Sequence, residues 1–237
     1  GAAGGGGRIA VIYDAAKQAV YGDSGVRMQA TGGSVGYRGV ARDGTVYLPN
    51  AQFVSSTVST QHFLNCMLYL GGLTSLNFSS LTVSNASFVF ANTGMVVTVT
   101  NDVSIYGGGL GVGIYGQFLC GGSMEMKSAS TFYAYSGPTN ITYPQYGALV
   151  AVTGGVVVGT NCWVYPFSDD MTGGSVKFRI GALTVQSSGG FNADWKGYRK
   201  TAGPGAGVYN VSYGAGGAYG GEGAVYNGST NKSQPYG

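Results

Sequence analysis

The chain has 237 residues, of which 45 are glycine, 44% are hydrophobic and only 9% are charged. An ordinary soluble domain has about 25% charged residues, and a disordered chain combines low hydrophobicity with high net charge, so we expect a folded chain with an uncharged polar surface. The net charge of +3 is scattered without a basic stripe, which argues against nucleic acid as a partner.

Residues 1–50 combine a glycine-rich start with short strand patterns. Strands are predicted at Arg8–Tyr13, Val26–Thr31 and Thr45–Leu48, and Asp14–Val20 has the length of one or two helical turns. The chain begins without Met, as expected of a mature or excised piece of a longer precursor. No run of about 20 apolar residues occurs, so no membrane span is expected.

Residues 51–190 contain many short segments in which apolar and small polar residues alternate, separated by Gly-Gly, Asn-Asp and similar turn formers. Pro138–Pro144 is predicted to be a loop. The predicted strands are Ser80–Val83, Ser87–Phe90, Met95–Thr100, Val103–Tyr106, Gly113–Leu119, Met124–Met126, Thr131–Tyr135, Leu149–Val152, Val156–Val158, Trp163–Phe167, Val176–Ile180 and Leu183–Gln186. Short strands at regular spacing are typical of a sandwich, a barrel or a β-solenoid.

This pattern predicts an all-β fold, and it favours a right-handed parallel β-helix with glycine-rich terminal segments. The strands are shorter than usual, hairpin-type Asn-Gly pairs are scarce, and a loose repeat of about 20 residues is typical of solenoids. A β-sandwich is the alternative. The residues expected in the core are Val83, Phe88, Phe90, Val97, Val99, Val103, Ile105, Leu149, Val156, Val158, Phe178, Ile180 and Leu183.

Residues 191–237 are rich in glycine and tyrosine. A flexible linker rarely carries so many large side chains, so we expect this segment to pack on the β-helix or on the next subunit. The whole chain, 1–237, is predicted to be one domain, with residues 1–50 as glycine-rich N-terminal strands and 51–190 as the coils of the helix.

The chain offers no convincing catalytic group. His62 is the only histidine, and no nucleophile-elbow pattern lies near it. Asp169-Asp170 is the only adjacent carboxylate pair, and a turn capped by aspartate explains it better than catalysis. Cys66, Cys120 and Cys162 lie too far apart for a zinc motif; one disulfide, an intermolecular bridge and three small buried side chains all stay open. We therefore predict no catalytic residue, no cofactor and no metal, and a protein that is not an enzyme.

Six Asn-x-Ser/Thr sequons occur, which exceeds the number expected by chance and suits a secreted protein with exposed loops. Asparagine and serine as ordinary turn residues explain them equally well. The candidate glycosylation sites are Asn77, Asn85, Asn140, Asn210, Asn227 and Asn231.

Three stretches resemble a known family. They are GGGGRIAVIY at Gly4–Tyr13, ATGG at Ala30–Gly33 followed by DGTVYL at Asp43–Leu48, and a C-terminal set. The C-terminal set consists of NADWKGY at Asn192–Tyr198, GPGAG at Gly203–Gly207 and YGGEG at Tyr219–Gly223. Together they resemble the glycine-rich β-helix repeats of very large secreted and surface proteins of bacteria and protists. The match covers both ends of the chain and departs at Trp195, where the family usually has glycine.

The resemblance implies a structural role outside the cell. In the family the GPGxG segment precedes the GGGRIA strand, whereas here it lies at the opposite end, so joining Gly237 to Gly1 would restore the family order. The order is that of one period of a longer array, or of a subunit whose tail meets the head of the next. We expect a subunit of an extracellular filament, sheath or surface layer that binds itself head to tail. The residues expected at the interface are Gly4, Arg8, Tyr13, Tyr219, Tyr226 and Tyr236. An adhesin or carbohydrate-binding module that binds surface glycans is the alternative.

Overall fold

The structure, a computed structural model, describes residues 4–21, 25–34, 41–59, 62–139, 146–199 and 202–203, together with the backbone of 209–210 and 213–214. These residues form an all-β fold with one short helix, α1 (Ala15–Tyr21). The strands are β1 (Arg8–Ala10), β2 (Met28–Gln29), β3 (Gly44–Leu48), β4 (Thr57–Ser59), β5 (Phe63–Leu70), β6 (Ser75–Phe78), β7 (Leu81–Ser84), β8 (Ser87–Phe90), β9 (Val96–Val99), β10 (Val103–Tyr106), β11 (Gly109–Val112), β12 (Gln117–Cys120), β13 (Met124–Lys127), β14 (Thr131–Tyr135), β15 (Ala148–Val158), β16 (Trp163–Phe167), β17 (Val176–Val185), β18 (Gly190–Phe191), β19 (Tyr209–Asn210) and β20 (Tyr213–Gly214).

Two parallel sheets contain all the described strands except β19 and β20, which form a small antiparallel pair. The first sheet, here called ladder A, has the order β1-β3-β5-β8-β11-β14-β16-β18, and β2 pairs with β5 beside it. The second sheet is held together by the long strands β15 and β17. Its ladder B runs β6-β9-β12 to the first half of β15, and its ladder C runs β4-β7-β10-β13 to the second half of β15.

The central strands recur at a nearly constant step along the chain. In ladder A, Ser87 pairs with Gly109 and Gly109 pairs with Thr131, so the two steps are equal. In ladder C, Leu81 pairs with Val103 and Val103 with Met124, which is nearly the same step. We call three consecutive strands, one from each ladder, a rung; β8, β9 and β10 form one. The step agrees with the repeat of roughly 20 residues that is typical of solenoids.

The core consists of the side chains that point inward from the three ladders. Alternation of inward and outward residues along each strand produces columns such as Leu81–Val103–Met124–Val156 in ladder C, all buried. Ten of the thirteen expected core residues are buried, which confirms that part of the prediction. They all lie in parallel strands between β7 and β15.

The prediction is wrong for the remaining three, Phe178, Ile180 and Leu183, of which the first two are half-buried and the third is 50% exposed. All three belong to β17 and continue the inward columns of β15. They remain open because β17 pairs only with β15 among the described residues. A correct inward register therefore does not bury a side chain at the last rung.

The two N-terminal motifs lie side by side, as expected if both belong to one sheet. β1 pairs in parallel with β3, with Arg8 opposite Thr45 and Ala10 opposite Tyr47. The close approach needs glycine, because a Cβ atom on Gly44 would collide with the backbone oxygen of Gly7. After β1, Asp14 caps helix α1 by accepting hydrogen bonds from the backbone N–H groups of Ala16 and Lys17.

Several strand bounds differ from the predicted ones. β5 and β6 were not predicted, and the predicted strand Gly113–Leu119 is replaced by β11 and β12, with a turn between them. The predicted Leu149–Val152 and Val156–Val158 form one continuous strand, β15, with a register irregularity between Val152 and Gly155.

Candidate functional site

The expected assembly residues of the N-terminus lie at the edge of ladder A. Gly4 and Arg8 are exposed, and β1 has a neighbour on one side only within the described chain. Tyr13 is held by its own chain, since its hydroxyl donates to Asn50 Oδ1 at 2.6 Å and its ring packs edge-on against Phe53 at 5.1 Å. The other expected interface residues, Tyr219, Tyr226 and Tyr236, lie outside the described residues.

Two of the candidate sequons have exposed asparagine side chains. Asn77 is exposed in β6, and Asn85 is exposed in the turn after β7 with a φ of 51°. Asn210 is described only by its backbone, in β19. Asn140, Asn227 and Asn231 lie outside the described residues.

The opposite end of the molecule presents an unusual apolar surface, which we call the C-terminal edge and define as β17, β18 and Trp195. Besides Leu183, the side chains of Val185 and Phe191 are exposed there. Trp195 is 102% exposed and has a φ of 61°, a conformation that favours glycine. A fully exposed large apolar side chain on a strained backbone is unlike the rest of the described surface.

A cavity of about 480 Å³ lies on the outward face of ladder A; we call it the aromatic cavity. Its aromatic lining consists of Tyr69 on β5, Phe88 on β8, Tyr133 and Tyr135 on β14, and Phe167 on β16. Between them small side chains line the cavity at Val89 on β8, Ala91 after β8 and Gly113 after β11, and the larger Met67 and Ile114 also contribute. Arg42 and Asp43, which lead into β3, also line it.

Register explains why the cavity forms at this place. The outward column Met67–Val89–Gly111–Tyr133–Tyr165 crosses ladder A with its two smallest members in the middle. A Cβ atom on Gly111 would lie 2.6 Å from the backbone oxygen of Tyr133 and 3.0 Å from Val89 Cγ2. Gly111 is therefore covered by its neighbours, and the small residues that line the cavity between the rings of β5 and those of β14 are Val89, Ala91 and Gly113.

The tyrosine rings on β14 are held in place by aromatic rings on the next strand, β16. Tyr133 stacks on Tyr165 at 5.6 Å between ring centroids, and Tyr135 stacks on Phe167 at 4.5 Å. The ammonium of Lys196 lies 5.0 Å from the ring centroid of Tyr165 and 4.8 Å from that of Phe167, a cation–π arrangement that fixes the outer pair.

The electrostatics of the cavity favour the neutral forms of Tyr135 and Cys66. Burial raises the pKa of Tyr135 to about 12, with smaller contributions from Tyr133 and Asp43 that Arg42 opposes. Burial, helped by Asp43, raises the pKa of the Cys66 thiol to about 12. One guanidinium and one carboxylate, in adjacent residues, are the formal charges among the lining side chains.

The remaining polar candidates of the sequence have structural surroundings. His62 is buried, with Nδ1 3.3 Å from both the backbone nitrogen and Oγ of Ser59. Asp169 caps a turn, because its Oδ1 accepts from the backbone N–H groups of Met171 and Thr172 and from the Thr172 hydroxyl. Cys66, Cys120 and Cys162 are buried free thiols, which confirms the reading as small buried side chains.

Two further observations concern the described part of the chain only. No cluster of three or more His, Cys, Asp or Glu side chains is placed to hold a metal ion there. No helix in these residues has the length and apolar character to cross a membrane. Comparison of the chain with family models, curated proteins and solved structures finds no match in any of the three.

Sequence reasoning singled out Gly4 and Arg8 at the N-terminal edge but missed both the C-terminal edge at β17 and the aromatic cavity. The lining of the cavity comes from successive strands of ladder A and the turns beside them, and each strand contributes only a few residues. That Gly111 and Tyr133 share a column becomes informative only when the register is known.

Proposed function

We propose that the chain is a right-handed parallel β-helix and that it serves as a structural subunit of an extracellular filament, sheath or surface layer, joined head to tail. The parallel ladders and their nearly constant step along the chain support the β-helix. A sandwich would instead be built from antiparallel strands. The handedness rests on the rule that about 98% of crossovers between parallel strands are right-handed.

Removing one whole rung tests the fold. Deletion of positions 87–108 joins Ala86 to Gly109 and brings β11 to the place of β8, because Gly109 occupies the register position of Ser87. In a β-helix the shortened chain should still fold, with lower stability, because each rung contacts only its neighbours. Circular dichroism and urea unfolding measure the outcome.

A deletion of half a rung, positions 87–97, is the matched control. It would place strands of different ladders opposite each other, so we expect it to abolish cooperative unfolding. If the whole-rung deletion were as damaging as the half-rung deletion, the strands would not stack as interchangeable coils and the β-helix would be refuted.

The observation that carries the assembly proposal is the C-terminal edge. Leu183 and Val185 continue the inward columns of ladder C, yet they are exposed, so the core itself ends open there. The first half of β17 carries Lys177 and Arg179, whose charges oppose edge pairing. The second half, Ala182–Val185, carries no charge, and it is the part that we expect to dock.

The N-terminal edge offers a strand with which Ala182–Val185 of another copy could pair. In ladder C it ends with β4, an uncharged strand of 3 residues that pairs only with β7 among the described residues. Unlike ends that join by a heterologous contact propagate as a filament unless their rotation closes a ring. The low charge of the chain removes the usual defence of open sheet edges.

Sedimentation velocity over a range of concentrations tests the assembly. We expect the wild type to polymerise and Leu183→Lys to remain monomeric, because it places a charge on the docking strand. Ser104→Lys is the matched control, since Ser104 is exposed in the middle of ladder C, between Thr82 and Glu125. A wild type that stays monomeric at high concentration, or a Leu183→Lys variant that polymerises equally well, would contradict the proposal.

A further inference from the structure

We infer that the aromatic cavity of ladder A is a binding site for a neutral oligosaccharide. The inference goes beyond assembly, since the cavity lies on the outward face of ladder A and no residue of β17 or β4 lines it. A subunit with such a site would hold a sugar polymer along the stack.

The shape of the cavity suits an elongated ligand. Tyr69 on β5 and Tyr135 on β14 are separated by three strand spacings in ladder A, which corresponds to about 14 Å. The floor between them carries Val89, Ala91 and Gly113. A cleft walled by aromatic rings with a low floor admits a chain of saturated rings, whose apolar C–H faces pack on the tyrosines.

The walls are set before a ligand arrives. Tyr133 and Tyr135 are stacked on the next strand, and Val89, although it points outward, is only 6% exposed. A rigid aromatic wall loses little conformational entropy on binding, which favours affinity. The same rings place phenol groups near the ligand, and burial keeps that of Tyr135 protonated.

The chemistry of the lining selects among ligand classes. Arg42 and Asp43 supply donors and acceptors while their formal charges cancel, so neither an anionic nor a cationic ligand is favoured. A nucleic acid would need several cations, and the lining has one. A β-strand peptide would need free backbone groups at the floor, but β8 and β11 are each paired on both sides. A neutral sugar, which offers hydroxyls and apolar ring faces, meets all these conditions.

Isothermal titration with neutral oligosaccharides tests the site on the full chain. The probes are cellohexaose, laminarihexaose, mannohexaose and chitohexaose, with oligogalacturonate as an acidic comparison. We expect at least one neutral hexamer to bind more tightly than the acidic one. Tyr69→Ala and Tyr133→Ala should each weaken that binding at least tenfold, and Arg42→Gln should weaken it several-fold.

Tyr106→Ala is the matched control, because Tyr106 is an exposed tyrosine on β10 in ladder C, outside the cavity. It should bind like the wild type, and the circular dichroism of every variant should match that of the wild type. Absence of binding by all four neutral hexamers, preference for the acidic one, or equal weakening by Tyr106→Ala would overturn the inference. Sedimentation of the same variants should be unchanged, so failure here is distinct from failure of the assembly proposal.

Discussion

Two leucines in one column allow a test of whether the core is open at its C-terminal end, through the cost in stability of truncating each one. Leu81 and Leu183 both point inward in ladder C, in the same register column, four strand spacings apart. Leu81 is 0% exposed and Leu183 is 50% exposed. Truncation of either to alanine removes the same atoms, so any difference in cost reports the surroundings and not the chemistry.

The expected costs follow from burial. Leu81→Ala leaves a closed cavity inside the core and should lower the free energy of unfolding by about 3 kcal/mol, within the usual range for a buried Leu→Ala change. Leu183→Ala leaves no closed cavity and loses only the buried half of the side chain, so about 1 kcal/mol is expected. The two variants should therefore differ by about 2 kcal/mol.

Urea unfolding followed by circular dichroism measures both values, at a protein concentration where sedimentation shows a monomer. The slope of the free energy against urea should be the same for both variants, because both expose the same surface on unfolding. If Leu183→Ala cost as much as Leu81→Ala in the monomer, the column would be covered beyond β17. The core would then be closed at this end, and the docking strand proposed above would not be available.

Three further changes have expected outcomes. Trp195→Gly should raise the free energy of unfolding by about 0.5–1 kcal/mol, because relief of left-handed strain exceeds the added entropy of the unfolded chain. A thermal unfolding midpoint below that of the wild type would contradict this. Gly44→Val should keep the chain from folding, so that no cooperative unfolding transition is observed, because the added side chain would collide with the backbone of Gly7. A variant with wild-type stability would refute the close pairing of β1 and β3. With its pKa raised to about 12, Tyr135 stays protonated in the folded state after it ionises in the unfolded one, so its contribution is complete below about pH 10 and is lost as the pH rises to 12. Tyr135→Phe should therefore lose about 2 kcal/mol less than the wild type between about pH 9 and 12 in urea unfolding, and equal losses would show that the hydroxyl is not buried.

The central strands could be predicted from sequence because their alternation is regular. Val103–Tyr106 and Thr131–Tyr135 were predicted with the bounds that the structure gives. Phe63–Leu70 was missed because it is almost continuously apolar, and because Asn65, with a φ of 49°, interrupts the alternation. Gly109–Val112 was missed because its two glycines are more typical of a turn than of a strand.

The sites depend on information that local patterns do not contain. The exposure of Leu183 depends on whether another strand follows β17, and the second half of β17, Ala182–Val185, is as apolar as an inner strand. The aromatic cavity depends on which outward residues share a column, and a slip of one residue in register would move Tyr133 to the other face. A sequence predicts which side chains of a strand point inward, whereas the pairing of strands decides which neighbours those side chains contact.

The stacking of strands in the ladders gives a physical reason for the low charge content of the chain. The charged residues of the described strands are Arg8, Glu125, Lys127, Lys177 and Arg179, and none has a charged partner on an adjacent strand. Like charges in one column would lie about 4.8 Å apart and would repel by roughly 1 kcal/mol per pair even in water. A stack that continues from subunit to subunit would repeat that cost at every rung. Uncharged residues in the outward columns avoid this repulsion. The absence of charge also leaves Ala182–Val185 without the side chains that would keep a second copy away.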